Sequence, residues 1–458
     1  MPSPFQGIDI ASTALASYNQ ALNVVSNNIA NVNTPGYTRE IANFEPNPAS
    51  IVYSQHPILV GNGVNISSVS SVRDSYLYSQ MQTLSSQVGQ TNAQLGGSQQ
   101  IQTQFNEPGT SGIQNAMDTF FNSWSSLSSD PSNTALLSQV QLSGETLASR
   151  VQGTYQNLSG LQTQNTQQIN DTIQQIQNLA DQVSSLNKQI LQASTSGAQP
   201  NQLVDQRTQA LQQLGNLVNI NTQTMNNGQI LVYVNQFNLV SSSQANTFPT
   251  TVNSASGTVS DPNGTYNITG GQLGGLMQNA NSITTAQSQL DTLANTLRTT
   301  VNGVMSTGIN GLGATGQNFF NSPNPPNGAI DFALDPAVAA NPQAIATGTS
   351  GNPGDGSLAL TISQLNTQAQ SSLGNISLNQ YYQGVVGDLG NNVQFFQNQQ
   401  STQTAMSNQL TQQIQSVSGV NIDEELTNML KYQQSYTAAS KVLSIANQTV
   451  QDLLNMLP

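Results

Sequence analysis

The sequence contains no cysteine and a single histidine, His56. Without cysteine the chain can form no disulfide, no thiolate metal site and no cysteine nucleophile. A Ser-His-Asp arrangement would have to use His56, which Pro57 follows in a loop-like stretch, and such a stretch does not favour the geometric roles that a catalytic histidine must fill. We therefore predict no catalytic residue, no metal site and no cofactor.

Charged residues are also scarce. They make up 6% of the chain, whereas soluble proteins average about 25%. The 21 acids and 8 bases give a net charge of -13, and the bases are scattered singly from Arg39 to Lys441. Binding to nucleic acid or to a membrane surface needs clustered bases, so we predict neither partner. Gln, Asn, Ser and Thr fill the exposed positions instead, and neutral polar surfaces of this kind suit close packing between subunits.

Long hydrophobic runs are missing as well. No stretch approaches the roughly 18 apolar residues that span a bilayer. No Lys or Arg precedes Arg39, and the first thirty residues hold no apolar run, so we expect no cleaved signal peptide. A cytoplasmic location and export without cleavage both remain open on these grounds.

Each end of the chain carries a ladder of apolar residues with the spacing of a coiled-coil seam. The N-terminal ladder consists of Ile8, Ala11, Leu15, Tyr18, Leu22, Val25, Ile29 and Val32. The C-terminal ladder consists of Ile422, Met429, Tyr436, Leu443, Val450 and Leu457. An apolar side chain left in water forgoes about 1.5–3 kcal/mol, so each ladder needs a partner.

We predict that the ladders form an assembly interface with each other and with sister subunits in a tubular assembly. In the free subunit we expect both helices to lack their full set of partners, to be largely disordered and to order on assembly. The alternative is an ordinary helical hairpin inside a monomer, since many globular helices show such stripes.

The interior divides into helical and alternating patterns. Helical periodicity covers residues 77–95, 113–127, 131–217 and 273–304 and returns from 358, with Asp130 as the expected N-cap of the third stretch. Alternation on both sides of Asn227-Gly228 predicts a β-hairpin, and a short strand is possible at 330–334. Residues 38–70 have an extended and irregular pattern.

We therefore predict a mainly α fold with a coiled-coil-like stem of terminal helices, a helical middle domain and an inserted β-rich outer domain. The predicted parts are 1–70 with 411–458 (terminal assembly segments), 71–217 with 272–305 and 358–410 (middle domain), and 218–271 with 306–357 (outer domain).

Two groups of charged residues have structural interpretations. The run Asp423-Glu424-Glu425 opens the C-terminal helix, where negative charge complements the helix dipole. Asp205 and Arg207 lie two positions apart, so they do not face each other on a helix and each is expected to meet another element.

The first helix ends at a turn motif with family character. Proline disfavours helix in the residue before it, and Thr34-Pro35-Gly36-Tyr37 favours a type II turn. Together with Asn31, this motif resembles the N-terminal signature of axial proteins of the bacterial flagellum. The stretches 418–426 and 432–438 resemble the matching C-terminal motif. Interior segments at 63–74, 105–108, 120–124, 203–207 and 290–320 are similar to the family of the first hook-associated protein.

The resemblance implies a structural role at the junction between hook and filament. The protein would be exported unfolded by the flagellar type III apparatus, without cleavage, and would lie outside the cell. Its partners would be sister subunits, hook protein, the next hook-associated protein, and an export chaperone on the C-terminal segment. The chain looks shorter than some members, which suggests a missing outer domain. A hook protein or flagellin-like subunit is the alternative within the class, and a secreted adhesin with coiled-coil ends is the alternative outside it.

Overall fold

Helices account for most of the chain, as the apolar periodicity predicts. The computed structural model describes residues 5–52, 58–105, 107, 109 and 111–456. The α-helices in the described residues are α1 Gln6–Ala30, α2 Ser75–Phe105, α3 Ile113–Ser129, α4 Thr134–Thr195, α5 Asn201–Leu217, α6 Gly271–Met305, α7 Pro336–Ala340, α8 Ser357–Gln364, α9 Leu378–Ser418 and α10 Ile422–Asn455. Two 3-10 helices span Pro342–Ala344 and Ser371–Leu373. Within these described ranges, none of the helices combines the length and the apolar character that crossing a bilayer requires.

The strands form small antiparallel sheets. They are β1 Glu40–Pro46, β2 Ser50–Val52, β3 Ile58–Val60, β4 Val64–Ser71, β5 Asn221–Thr224, β6 Ile230–Val234, β7 Phe237–Ser241, β8 Gln244–Ala245, β9 Thr251–Asn253, β10 Thr258–Asp261, β11 Gly264–Asn267, β12 Ile309–Asn310 and β13 Ala346–Gly348. The sheet orders are β5-β6-β7-β8, β11-β10-β9, β1-β4, β2-β3 and β12-β13. The mainly α fold with an inserted β-rich part is thus confirmed.

The predicted hairpin is confirmed at β5 and β6. Thr224 pairs with Ile230, and Gly228 in the connection has a φ of 82°, which glycine adopts without the steric cost of a Cβ. The segment 38–70 is more regular than its composition predicts. β1 and β4 pair from Glu40 with Ser71 to Pro46 with Val64, interrupted by one register shift after Asn43.

Two local predictions are wrong. Residues 330–334 form no strand, and only an isolated bridge joins Leu334 to Phe320. The N-cap of α4 is Asn133 rather than Asp130: Asn133 Oδ1 accepts hydrogen bonds from the backbone N–H groups of Ala135 and Leu136. Asp130 is instead the C-cap of α3, and a turn closed by the hydrogen bond from the Asn133 N–H to the Asp130 carbonyl separates it from the start of α4.

The chain separates into two compact units, each assembled from distant stretches. The first unit comprises Met1–Ser86, Gln175–Phe248 and Gln403–Pro458, and the second comprises Gln87–Gln174 and Pro249–Thr402. Helices α2, α4 and α9 each contribute one part to both units. The three-part division drawn from the sequence stays a prediction.

The second unit contains an aromatic core. Phe120 and Trp124 of α3 are fully buried, and their rings meet Phe319 at centroid distances of 5.4 Å each. Phe320 lies 4.5 Å from Phe332. The α3 aromatics therefore belong to the core of the second unit. The first unit contains both ends of the chain and carries the candidate site.

Candidate assembly site

The two terminal helices pack against each other within the first unit. A cluster of three aromatic rings joins them to the strand that follows α1: Tyr18 lies 5.6 Å from Phe44 and 6.4 Å from Tyr432, and Phe44 lies 5.7 Å from Tyr432. Beside the rings, Ala21 of α1 is fully buried in a small apolar cluster. Tilted rings at these separations contribute favourable packing beyond area burial.

The N-terminal ladder is partly covered within a single chain. Ala11 and Val25 are buried, with 2% and 4% of their surface exposed. The other ladder residues are partly buried: Ile8, Leu15, Tyr18, Leu22, Ile29 and Val32. α1 contacts both α10 and the β1–β4 ribbon, and the sequence pattern could not place the ribbon contact. Six of the eight ladder residues are only partly buried, so the expectation that the ladder lacks its full set of partners in the free subunit stays a prediction.

The C-terminal ladder is only partly covered. Met429, Leu443 and Val450 are partly buried, whereas Ile422 and Tyr436 are 46% and 37% exposed. Leu457 lies outside the described residues, as does His56, the single histidine of the chain. Further apolar side chains outside the ladder are also exposed on α10, and they include Leu426, Leu430, Val442 and Ile445. The apolar surface of the terminal helices that stays exposed in the single chain thus belongs mainly to α10.

The turn motif folds as its residue types predict. Tyr37 N–H donates to the Thr34 carbonyl at 3.2 Å, and Gly36 has a φ of 77°, the positive value that a type II turn requires at this position. Asn31 ties the turn to the helix end, since its Nδ2 donates to Asn27 O at 3.0 Å and its Oδ1 accepts from Thr34 Oγ1 at 3.1 Å. The turn is therefore rigidly connected to α1.

A partly buried polar network joins the end of α1 to the start of α10. We call it the terminal junction, and it consists of Asn28, Tyr37, Arg39, Glu424 and Glu425. Asn28 is fully buried; its Oδ1 accepts from Tyr37 OH at 2.8 Å, and its Nδ2 donates to Glu425 Oε2 at 3.1 Å. Asn28 also exchanges hydrogen bonds with the backbone of Glu40 at 2.8 and 3.0 Å.

The charges of the terminal junction are paired. Arg39 Nε donates to Glu425 Oε1 at 2.7 Å, and Arg39 Nη2 donates to Glu424 Oε1 at 2.8 Å. The side chain of Glu425 is 1% exposed and that of Glu424 is 54% exposed. Burial lowers the pKa of Arg39, but its hydrogen bonds to both glutamates outweigh this and leave the pKa raised. Burial also raises the pKa of Tyr37, and the nearby carboxylates of Glu40, Asp205 and Glu425 raise it further.

The acidic run at 423–425 therefore does more than complement a helix dipole. Asn421 performs the capping, because its Oδ1 accepts from the backbone N–H of Asp423 at 3.0 Å. Glu424 and Glu425 instead hold Arg39, which lies 385 and 386 positions earlier in the chain. No sequence signal identified this pairing, because 21 acids are available to 8 bases and the partners lie almost four hundred positions apart.

A second anchor holds the turn against α5. Asp205 accepts from Thr38 N–H at 3.0 Å and from Thr38 Oγ1 at 2.7 Å, and it also pairs with Arg73. Gln209 Nε2 donates to the Pro35 carbonyl at 2.5 Å. These contacts bring the turn, the start of α2 and α5 together, and sequence reasoning did not find them.

Arg207 points to different partners from Asp205, which confirms the prediction that the two do not pair. Its Nη1 donates to Asn187 Oδ1 at 2.9 Å and to the Gly228 carbonyl at 2.8 Å, so it links α4, α5 and the β5–β6 turn. Burial, and to a smaller extent the positive charge of Arg73, lowers the pKa of Arg207 to about 10. Arg207 therefore serves the packing of the first unit.

Two clefts flank the turn, with volumes of about 510 and 740 Å³. Their linings include side-chain amides, hydroxyls and Asp205 but neither a histidine nor a cysteine. Nothing in these linings offers a nucleophile beside a general base, which nucleophilic catalysis would require. The contacts around the turn therefore serve to hold α1, α5 and α10 in position.

Models of protein families match three parts of the chain. The flagellar hook-associated protein FlgK helical domain matches residues 98–320. The flagella basal body rod protein model matches residues 8–38, which include the N-terminal ladder and the turn. The flagellar basal body rod FlgEFG protein C-terminal model matches residues 411–456, which include α10.

Individual relatives match over almost the whole chain. Flagellar hook-associated protein 1 of Bacillus subtilis is 25% identical over 500 aligned positions, covering 99% of each chain. The proteins of that name from Escherichia coli and Salmonella typhimurium are 25% and 26% identical, covering 98% of this chain and 99% of theirs. Their alignments of 551 and 559 positions exceed the length of this chain, so these relatives contain residues without a counterpart here.

A solved structure shares the fold. The flagellar hook junction protein FlgK from Burkholderia pseudomallei superposes with a TM-score of 0.65 at 19% identity, covering 74% of this chain and 100% of that one. With the matched domain models, the full-length relatives and the shared fold, the chain belongs to the flagellar hook-associated protein 1 family and is a structural protein of the bacterial flagellum.

Proposed function

We propose that this protein forms the junction between hook and filament by self-assembly through its terminal helices. One observation carries the mechanism: α10 is held in place by α1 and the terminal junction, yet it leaves large apolar side chains exposed along its length. A helix fixed in this way presents a preformed apolar surface to a neighbouring subunit. Burial of each such side chain in an assembly contributes about 1.5–3 kcal/mol.

The assembly is a tube in which the terminal helices of successive subunits pack side by side. Hook protein binds one edge of the junction and the next hook-associated protein binds the other. The β-rich segments form the outer part, and the three-part domain division follows this layering. The protein lies outside the cell and is exported there without cleavage.

Export precedes assembly and needs the chain unfolded. The exposed apolar side chains of α10 would then invite aggregation, so an export chaperone covers the C-terminal segment inside the cell. This part of the proposal is supported by Leu430 and Ile445, which are 56% and 67% exposed on α10 even in the folded chain.

A substitution in the N-terminal ladder tests the proposal. In cells that lack their own copy of the protein, expression of this chain restores filaments, whereas Leu22→Asp prevents its incorporation, because a carboxylate placed in the α1 seam cannot be desolvated there. Gln20→Asp adds the same charge to the same helix at an exposed position and serves as the control. Normal filament growth with Leu22→Asp would show that the seam is not used.

A further inference from the structure

The side of α10 that faces away from α1 combines apolar and basic groups. Leu426 and Leu430 are 41% and 56% exposed, and Val442 and Ile445 are 51% and 67% exposed. Their spacings of four and three residues place the members of each pair on the same side of the helix. The opposite side carries Tyr432, which packs against α1.

Two of the three lysines of the chain lie on this same exposed side. Lys431 and Lys441 are both exposed, and neither forms an ion pair with any residue in the described ranges. Neither has an acidic residue three or four positions away on the helix, so no local pairing satisfies them. We call this side, with its leucines, Val442, Ile445 and the two lysines, the outer face of α10.

A complementary surface lies elsewhere in the same unit. The β2–β3 hairpin exposes Ile51, Ile58 and Leu59 by 52%, 56% and 73%. The β1–β4 ribbon from which it extends carries the exposed carboxylate of Glu45, which forms no ion pair among the described residues. Residues 40–71 contain no Lys or Arg. The ribbon is therefore apolar and acidic where the outer face of α10 is apolar and basic.

The two surfaces also match in length. From Glu45 to Ile51 a ribbon covers up to about 20 Å at about 3.3 Å per residue. From Leu430 to Ile445 the helix covers about 22 Å at about 1.5 Å per residue. Leu430 and Lys431 lie at one end of this helical surface, and Lys441 and Ile445 lie at the other. The hairpin can therefore contact the apolar residue at one end while Glu45 pairs with the lysine at the other end.

We propose that the outer face of α10 binds the β2–β3 hairpin of a second copy of this chain, with Glu45 of that copy paired to a lysine. Both surfaces stay exposed within one chain, so they do not satisfy each other there. A second copy supplies each surface once, and a contact between two different surfaces of identical subunits propagates around a ring or helix. The proposal rests on the proposed function, because it names the contact by which that assembly grows.

Cysteine cross-linking tests the contact without background, since the chain contains no cysteine. Two double variants are made in the full chain, Leu59→Cys with Ile445→Cys and Leu59→Cys with Leu430→Cys, and intact flagella are treated with a flexible bismaleimide. Covalent dimers and larger oligomers in either variant support the contact, and the variant that responds gives its direction. Single variants should remain monomeric.

Absence of cross-links in both variants, in flagella that contain the protein and bear filaments, overturns the contact while leaving the proposed function intact. A cross-link within one chain, seen as a faster-migrating monomer, overturns it as well. If the unsubstituted chain supports no filaments at all, the proposed function itself fails.

If the cysteine variants do not assemble, reversal of the charges on the two surfaces tests the proposed contact. Lys431→Glu with Lys441→Glu should reduce the fraction of cells with filaments by about fivefold or more, since an exposed pair contributes up to about a factor of five and reversal adds repulsion. Addition of Glu45→Lys should restore filaments. Lys188→Glu, at the remaining exposed lysine, is the matched control and should have no effect. Failure of Glu45→Lys to restore growth refutes the pairing.

Discussion

The buried carboxylate of Glu425 should decide whether the two ends of the chain hold together. Replacement by glutamine keeps the size of the side chain but removes its charge. The two carboxylate oxygens accept from Arg39 Nε at 2.7 Å and from Asn28 Nδ2 at 3.1 Å. A glutamine has one acceptor oxygen, so its NH2 group must face one of these donors. Glu424→Gln makes the same chemical change on the same arginine at an exposed position.

The structure sets the expected magnitudes. Removal of one partner of a buried ion pair costs about 3–5 kcal/mol when the remaining charge is left uncompensated. Arg39 is 15% exposed and keeps its bond to Glu424, so we expect a smaller loss of about 2–3 kcal/mol for Glu425→Gln. An exposed pair contributes about 0–1 kcal/mol, which is the loss expected for Glu424→Gln. The two variants should therefore differ by about 2 kcal/mol.

Hydrogen exchange on the full-length subunit measures this difference where it matters. A difference of about 2 kcal/mol corresponds to about thirtyfold faster hydrogen exchange for the backbone amides that the terminal junction protects. We expect that change in the last turns of α1 and in β1 for Glu425→Gln, and almost none for Glu424→Gln. Equal protection in the two variants would refute the view that the buried carboxylate joins the ends. Absence of protection over α1 in the unsubstituted subunit would instead support the prediction that the ends order only on assembly.

Further predictions concern the turn, pH and salt. Gly36→Ala should lower the free energy of unfolding by about 1–2 kcal/mol, measured by denaturant titration, because φ is positive there and a Cβ would meet the Gln209 side chain; Gly61→Ala, in open space, should not. Burial raises the pKa of Tyr37, so its contribution to stability is present below about pH 10 and lost as the pH rises further. Stability should consequently fall less steeply above pH 10 in Tyr37→Phe than in the unsubstituted chain, and equal slopes would contradict this. With 6% charged residues, assembly should depend only weakly on salt, and a steep decline in filament reconstitution with ionic strength would argue otherwise.

Features that depend on neighbours along the chain were predictable from the sequence. The period of the apolar residues places most helices, the Asn227-Gly228 pair places the β5–β6 turn, and the motif at 34–37 has the glycine conformation that its turn type demands. Each of these follows from local sterics and from side chains a few positions apart, which the sequence displays directly. The resemblance to flagellar axial proteins depends on the same local motifs.

Local sequence patterns were not sufficient where the chain offers two caps or an unpaired strand. Asp130 and Asn133 are both good capping residues, and in the folded chain Asn133 caps the start of α4 while Asp130 follows the end of α3. Among the described residues, 330–334 have no adjacent strand with which to form a ladder, and only the bridge from Leu334 to Phe320 is present. The sequence could rank these options but could not choose among them.

The sequence by itself determined that both ends are amphipathic helices and that a rigid turn follows the first, because period and turn chemistry are short-range properties. Only the tertiary structure decided which part of each helix is covered. It placed Glu425 beside Arg39 and Asn28, almost four hundred positions away in the chain, and it left the outer face of α10 bare. Spacing within one helix carries no information about which distant residue will lie against it, so these pairings arise only when the chain is folded.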